Sequence, residues 1–300
     1  MVTVELQRIE LKHGITLSCR VAGPIGAPVL VFLHGFPEAA FVWDEMLAHF
    51  GQRYRCIAPN LRGFADSSAP AEIEAYRVKN LMADLLDLIH TVSPDQPLAA
   101  LVAHDWGGAV AWTFAVQQAD TMQRLVIINS PHPATFLREL QHNKTQQAAS
   151  SYMNFLCRPD AQKLLMENDF ARLWPFFTNM SGGSELVWLT EALKNQYRAV
   201  WCQGLNGALN YYRASPLKPP LTPEDAVMKL TFTPEFVTVN VPTLVLWGEA
   251  DTALPPALLD GLEPFVPRMH LVRVPGASHW IVHEQPGLVA AEIEAFLTGS

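Results

Sequence analysis

The sequence predicts an α/β protein: a mostly parallel, doubly wound sheet with a helical cap inserted late in the chain. Three observations carry this. Short apolar runs recur along the chain, helical periodicity fills the gaps between them, and one gap is far too long for a single crossover. Continuous apolar runs mark strands buried on both faces, as in parallel sheets. Strands alternating with helices give the doubly wound arrangement.

Val2–Leu6 and Ile15–Cys19 read as a hairpin broken at His13-Gly14. The apolar run Val29–Leu33 is the first buried strand, and a second run ends at Ile57-Ala58. Leu98–Ala103, Leu125–Ile128 and Thr243–Trp247 follow, with Leu271–Val274 a weaker last strand. Leu81, Leu85 and Ile89 stand at helical spacing within 76–92. Ala109–Ala115 continues a helix after Gly107-Gly108, and Leu288–Phe296 closes the chain as an amphipathic helix.

The runs ending at Ile128 and beginning at Thr243 stand 115 residues apart. A βαβ unit takes only about 30 residues, so about 80 must fold as something else. That stretch is helix-like and aromatic, from Tyr152 to Tyr212, and passes into a segment with Pro216, Pro219, Pro220, Pro223 and Pro234. The expected organisation is core over 1–133, helical cap over 134–215, then linker and second core part over 216–300. No internal repeat or low-complexity tract is visible.

Composition narrows the function. The net charge of −8 disfavours nucleic acid as a partner, since binding a phosphate backbone takes clustered cations. The 49% hydrophobic and 17% charged content excludes disorder as the main state and leaves ample material for a large core. Cys19, Cys56, Cys157 and Cys202 form no Cys-x-x-Cys pair and have no near His at metal-ligand spacing. They read as buried thiols, with no disulfide framework and no metal. Charges recur early in Met1–Arg8, and no run of about 18 apolar residues occurs. A cytoplasmic protein without a membrane span is expected.

The chemistry centres on His104-Asp105-Trp106-Gly107-Gly108. Asp105 stands where a buried strand turns into a helix, flanked by the small residues Ala103 and Gly107. This is nucleophile-elbow spacing with a carboxylate in place of serine. Asp251 follows a late strand in Trp247–Asp251, and His279 follows the last strand in Gly276–Trp280. Nucleophile, acid and histidine come in the order of an α/β-hydrolase sheet. His34–Glu38, directly after the strand Val29–Leu33, aims the Phe36 N–H at the site opposite that of Trp106. Two such donors form an oxyanion hole, and Phe36–Pro37 is expected as a cis bond.

His34–Glu38, Asn60–Pro70 and His104–Gly108, together with Glu72–Tyr76, resemble the soluble epoxide hydrolase branch of the α/β-hydrolase fold. The resemblance covers nearly the whole chain and is weakest in the cap. Asn60 stands where the family usually has Asp, and Ala65 where it often has Gly; both bear on local loop geometry alone. The resemblance implies two cap tyrosines that grip and protonate the epoxide oxygen. These are Tyr152, before Phe155–Pro159, and Tyr212, ending Leu209–Arg213, with Tyr211 the residue most easily mistaken for it. His34, Pro37 and Trp280 are expected to line the substrate pocket.

A carboxylate nucleophile suits displacement at a saturated carbon, because its product is an ester that water later cleaves. The expected reaction is epoxide opening by Asp105, with tyrosine proton donation, then ester hydrolysis by water that His279 and Asp251 activate. No cofactor is required. The expected partners are a small apolar epoxide and, as an open alternative, a second copy of the chain.

The rival is a haloalkane dehalogenase with the same triad. Against it, Phe36 stands where that family typically places Asn, and the tyrosines would be idle. A fluoroacetate dehalogenase fits less well, since Trp106 replaces its carboxylate-binding Arg. Asp105 at the elbow disfavours a serine esterase. The intact triad disfavours a ligand-binding protein that has lost catalysis.

Overall fold

The computed structural model describes residues 2–183 and 185–299. Among these residues the sheet has eight strands: β1 Glu5–Glu10, β2 Thr16–Ala22, β3 Val29–Leu33, β4 Arg55–Pro59, β5 Ala100–His104, β6 Leu125–Ile128, β7 Thr243–Gly248 and β8 Met269–Val274. Their order is β1-β2-β4-β3-β5-β6-β7-β8. β1 and β2 are antiparallel, β2 meets β4 antiparallel, and all later pairings are parallel.

Twelve α-helices stand among the described residues. Outside the interval between β6 and β7 lie α1 Asp44–Phe50, α2 Val78–Val92 and α3 Trp106–Gln117. Within it come α4 Pro133–His142, α5 Lys144–Ala149, α6 Tyr152–Leu156, α7 Ala161–Phe170, α8 Trp174–Asn179, α9 Glu191–Trp201 and α10 Asn206–Ala214. After β8 follow α11 Ile281–Glu284 and α12 Pro286–Thr298.

The pleat sends alternate side chains to opposite faces. Val29, Val31 and Leu33 of β3 join the buried cluster that holds α2 and α3. Leu30 and Phe32 join the cluster that holds α1 and α12. Two packed faces explain why β3, β5 and β6 are buried at every position.

The expected strands recur with shifted limits. β1 runs to Glu10, pairing it with Thr16, because the chain turns over residues 11–14, where Gly14 takes a left-handed φ of 83°. Only Ile9 of β1 is buried, so apolarity marks this edge strand poorly. β5 starts at Ala100, and Leu98 forms an isolated bridge to Met122. The sequence pattern does not reveal α1, since seven residues are too few to show helical periodicity. The buried-thiol expectation holds for Cys19 and Cys56 but not for Cys157, which is half-buried, or Cys202, which is exposed. Both stand at helix C-caps, where the chain turns outward. Ala65 takes a φ of 45°, a conformation in which glycine would be unstrained. The Asn60 side chain accepts the Ala40 N–H at 2.8 Å.

The inserted helices are tied to the sheet's carboxyl edge by polar side chains. The Trp201 indole N–H donates to the Pro37 carbonyl at 2.7 Å, and the Tyr197 hydroxyl to Glu38 at 2.8 Å. Tyr211 donates to the Arg62 carbonyl at 2.9 Å. Among the described residues, no helix is long and apolar enough to cross a membrane.

Candidate active site

Asp105, Asp251, His279 and Phe36 all follow the carboxyl ends of parallel strands, the edge where open α/β sheets hold ligands. Asp105 joins β5 to α3 with φ 49° and ψ −121°, a strained position for a residue other than glycine. Its carbonyl is held by the Ser130 hydroxyl at 2.7 Å and the Ala109 N–H at 3.0 Å. Gly107 is required here, since a Cβ would fall 2.6 Å from Leu33. Gly35 is required for the same reason: a Cβ there would fall 2.1 Å from the Asp105 carboxylate.

The carboxylate divides its contacts. Oδ1 accepts the Phe36 N–H at 2.7 Å, and Oδ2 faces His279 Nε2 at 3.7 Å. The N–H of Trp106, first residue of α3, has no acceptor within the helix. Phe36–Pro37 is cis.

Behind the imidazole, His279 Nδ1–H donates to Asp251 Oδ2 at 2.7 Å. Asp251 Oδ1 accepts the N–H groups of Ala253 at 2.9 Å and Leu254 at 2.8 Å. Burial by itself would depress His279, but the Asp251 carboxylate, with Asp105 and Glu38 behind it, lifts it to about 9.

Tyr152 and Tyr212 come together, with ring centroids 6.2 Å apart, and the Asp105 charge acts on both hydroxyls. The Tyr212 ring stands edge-on to Phe36 at 5.3 Å and to Trp106 at 4.9 Å. Burial holds both hydroxyls above the usual tyrosine range. Asp105 and Asp251 add to this at Tyr152, and the Tyr152 hydroxyl and Asp105 at Tyr212. Tyr211 points away, toward Arg62.

His34 is wholly buried, with Nδ1 on the Gly35 carbonyl and Nε2 accepting the Leu61 N–H. Burial pushes it down to about 4, so it is a neutral tie between loops. Pro37 and Trp280 bond to inserted helices, the Trp280 indole N–H donating to the Phe177 carbonyl at 3.0 Å. A cavity of about 350 Å³ opens beside Tyr152, with walls from Phe155, Phe176, Met180 and Ala253. None of His34, Pro37 or Trp280 lines it.

Two side-chain groups at the site were not anticipated. Asn129, directly after β6, donates to Asp251 Oδ2 at 2.9 Å. Glu38 is buried and accepts His283 Nε2–H at 2.6 Å, while its other oxygen lies 3.4 Å from His104 Nδ1. Burial would raise the Glu38 carboxyl, but His283 and His104 hold it well below the carboxylate range. His104 in turn donates to the His279 carbonyl at 2.9 Å. The one sequence signal for Glu38 was its place in the His34–Glu38 loop.

The alpha/beta hydrolase fold model matches residues 28–286. Mouse epoxide hydrolase 4 is 32% identical over 294 residues, spanning 95% of this chain and 77% of its own. The crystal structure of a Bacillus megaterium epoxide hydrolase with an inhibitor matches at 32% identity and a TM-score of 0.88. It covers 97% of this chain and 100% of that one. A structure of epoxide hydrolases from hot-environment metagenomes matches at 38% identity and a TM-score of 0.86, over 99% of this chain and 100% of that one. The chain belongs to the alpha/beta hydrolase fold family and, within it, to the epoxide hydrolases.

Proposed function

We propose that this enzyme hydrolyses an apolar epoxide to a vicinal diol in two covalent steps. One observation carries the reading: Tyr212 packs against both Phe36 and Trp106, the two residues that flank the Asp105 carboxylate. An acid packed against the residues that flank the nucleophile suits ring opening. In this reading 134–215 is the cap, and 1–133 with 216–300 the core.

Asp105 Oδ2 attacks an epoxide carbon, and the carbon–oxygen bond of the ring breaks. The departing alkoxide takes a proton from Tyr152 or Tyr212. A tyrosine whose pKa is raised keeps its proton until a stronger base arrives, and an alkoxide is one. The product is an Asp105 alkyl ester.

Ester formation removes the Asp105 charge, one of the groups that lift His279. The imidazole therefore becomes a weaker holder of protons at the stage that needs a base. His279 Nε2 takes a proton from water, whose oxygen bonds to the Asp105 carboxyl carbon. Negative charge develops on Oδ1, which already accepts the Phe36 N–H. The bond from the carboxyl carbon to Oδ2 then breaks, the leaving alkoxide takes the proton from His279, and the Asp105 carboxylic acid left behind returns its proton to the tyrosinate, which restores the resting enzyme. Asp251 orients the ring throughout.

Phe155, Phe176 and Met180 beside Tyr152 give the cavity an apolar side that suits a lipophilic substrate, with Arg172, Asn179 and Thr252 also on its walls. The dehalogenase alternative lacks comparable support, because a halide leaving group has no use for a tyrosine proton. A turnover panel of epoxides and haloalkanes tests this: diol formation is expected, and halide release without epoxide turnover would overturn it.

A further inference from the structure

Asn129 is wholly buried and holds a φ of 37°, a left-handed conformation that asparagine tolerates better than most residues. Its position is fixed by the sheet, because Ile128 pairs with Leu246 and so brings Asn129 level with the end of β7. The orientation of its amide is fixed too. Oδ1 accepts the Gly248 N–H at 2.8 Å, which leaves Nδ2 facing the Gly248 carbonyl at 3.3 Å and Asp251 Oδ2 at 2.9 Å. That oxygen also takes the His279 proton donor, at 2.7 Å.

We propose that Asn129 is a positioning residue that tempers the basicity of Asp251, so that His279 gives up its proton in time for ester hydrolysis. The proposal rests on the covalent reading of Asp105, Asp251 and His279 above. A carboxylate oxygen shared between an amide N–H and an imidazole N–H binds each less strongly than it would bind one alone. Without the amide, Asp251 stabilises the imidazolium more strongly, so at a given pH less of His279 is in the neutral form that can take a proton from water.

The charged groups facing His279 come from three other loops. Asp251 follows β7, Asp105 follows β5, and Glu38 follows β3 and acts across His104, whose ring lies 4.7 Å from His279. In the ester, Asp105 is neutral. The Asp251 and Glu38 charges then dominate, and the Asn129 amide moderates the nearer of them.

The test uses the full chain and styrene oxide as probe. Rapid-quench single turnovers, read by intact mass, give the rates of ester formation and decay across the neutral and alkaline range. Asn129→Ala is expected to move the midpoint of ester decay up by about one pH unit. Asn129→Asp keeps an acceptor for the Gly248 N–H but removes the amide donor to Asp251, and its ionised form adds negative charge behind the imidazole, so it also moves the midpoint up. Ester formation should change little, and decay should approach the wild-type rate at high pH. Decay slowed equally at every pH, with the midpoint unmoved, would mean a merely structural role and overturn the proposal alone. Wild-type protein that never forms an ester would overturn both the proposal and the covalent reading beneath it.

Discussion

His279 is hydrogen-bonded to Asp251 at 2.7 Å yet stands 3.7 Å from Asp105. In the proposed mechanism the asymmetry separates two tasks: Asp251 orients the ring permanently, whereas the gap to Asp105 leaves that carboxylate free to attack.

The pH dependence of the two steps should therefore differ. In the resting enzyme His279 titrates at about 9. Ester decay needs the neutral ring, so its rate rises with pH, and its midpoint lies below the resting value because Asp105 has lost its charge. Stopped-flow decay of the ester, set beside an NMR titration of His279, checks this. Equal midpoints would refute the link between Asp105 charge and His279 basicity.

In the proposed cycle Asp105 gives one of its carboxylate oxygens to the diol. One turnover in ¹⁸O-water should place label in the Asp105 carboxylate, detected by peptide mass spectrometry. Label confined to the diol would mean direct attack by water. Asp105→Ala should lower kcat by at least about a thousandfold. His279→Gln should instead accumulate one equivalent of ester.

The adjacent tyrosines separate by role. Tyr212→Phe should slow ester formation by on the order of a hundredfold while leaving ester decay near wild type. Tyr211→Phe breaks the bond to the Arg62 carbonyl, so it should cost about 1 kcal/mol of stability and little activity. Equal loss of both rates in Tyr212→Phe would remove it as the proton donor.

Acid should unfold the protein through buried imidazoles. Burial holds His34 and His132 at about 4, against an ordinary value of 6.5. Between those values the unfolded chain binds more protons than the fold, so stability falls as pH drops through the window. Each site is worth about 3 kcal/mol across it. The His279 contribution, with its raised pKa, is already complete below 6.5 and stays flat there. Urea unfolding at several pH values measures the slope, and a flat profile would show that the fold accepts both protons.

Much of the site was legible because its parts are local. The elbow shows in small residues on either side of Asp105, and each triad member follows a strand. Glu38, His283 and Tyr197 are not legible as a group, because they come from three distant parts of the chain: Glu38 and His283, after β3 and β8, are 245 positions apart, and Tyr197 arrives on the inserted α9. Asn129 was missed because a polar residue ending a strand reads as a turn former. The limits of β1 were blurred because its outer face meets water.

Trp201, Tyr197 and Tyr211 each reach down to the rim at Pro37, Glu38 and Arg62. These tethers set how far the phenol above hangs from the carboxylate below. A chimera that sets α6 to α10 on a foreign core with a carboxylate nucleophile of its own would hold both chemical groups and still be inert, unless that core offers the same three anchor points.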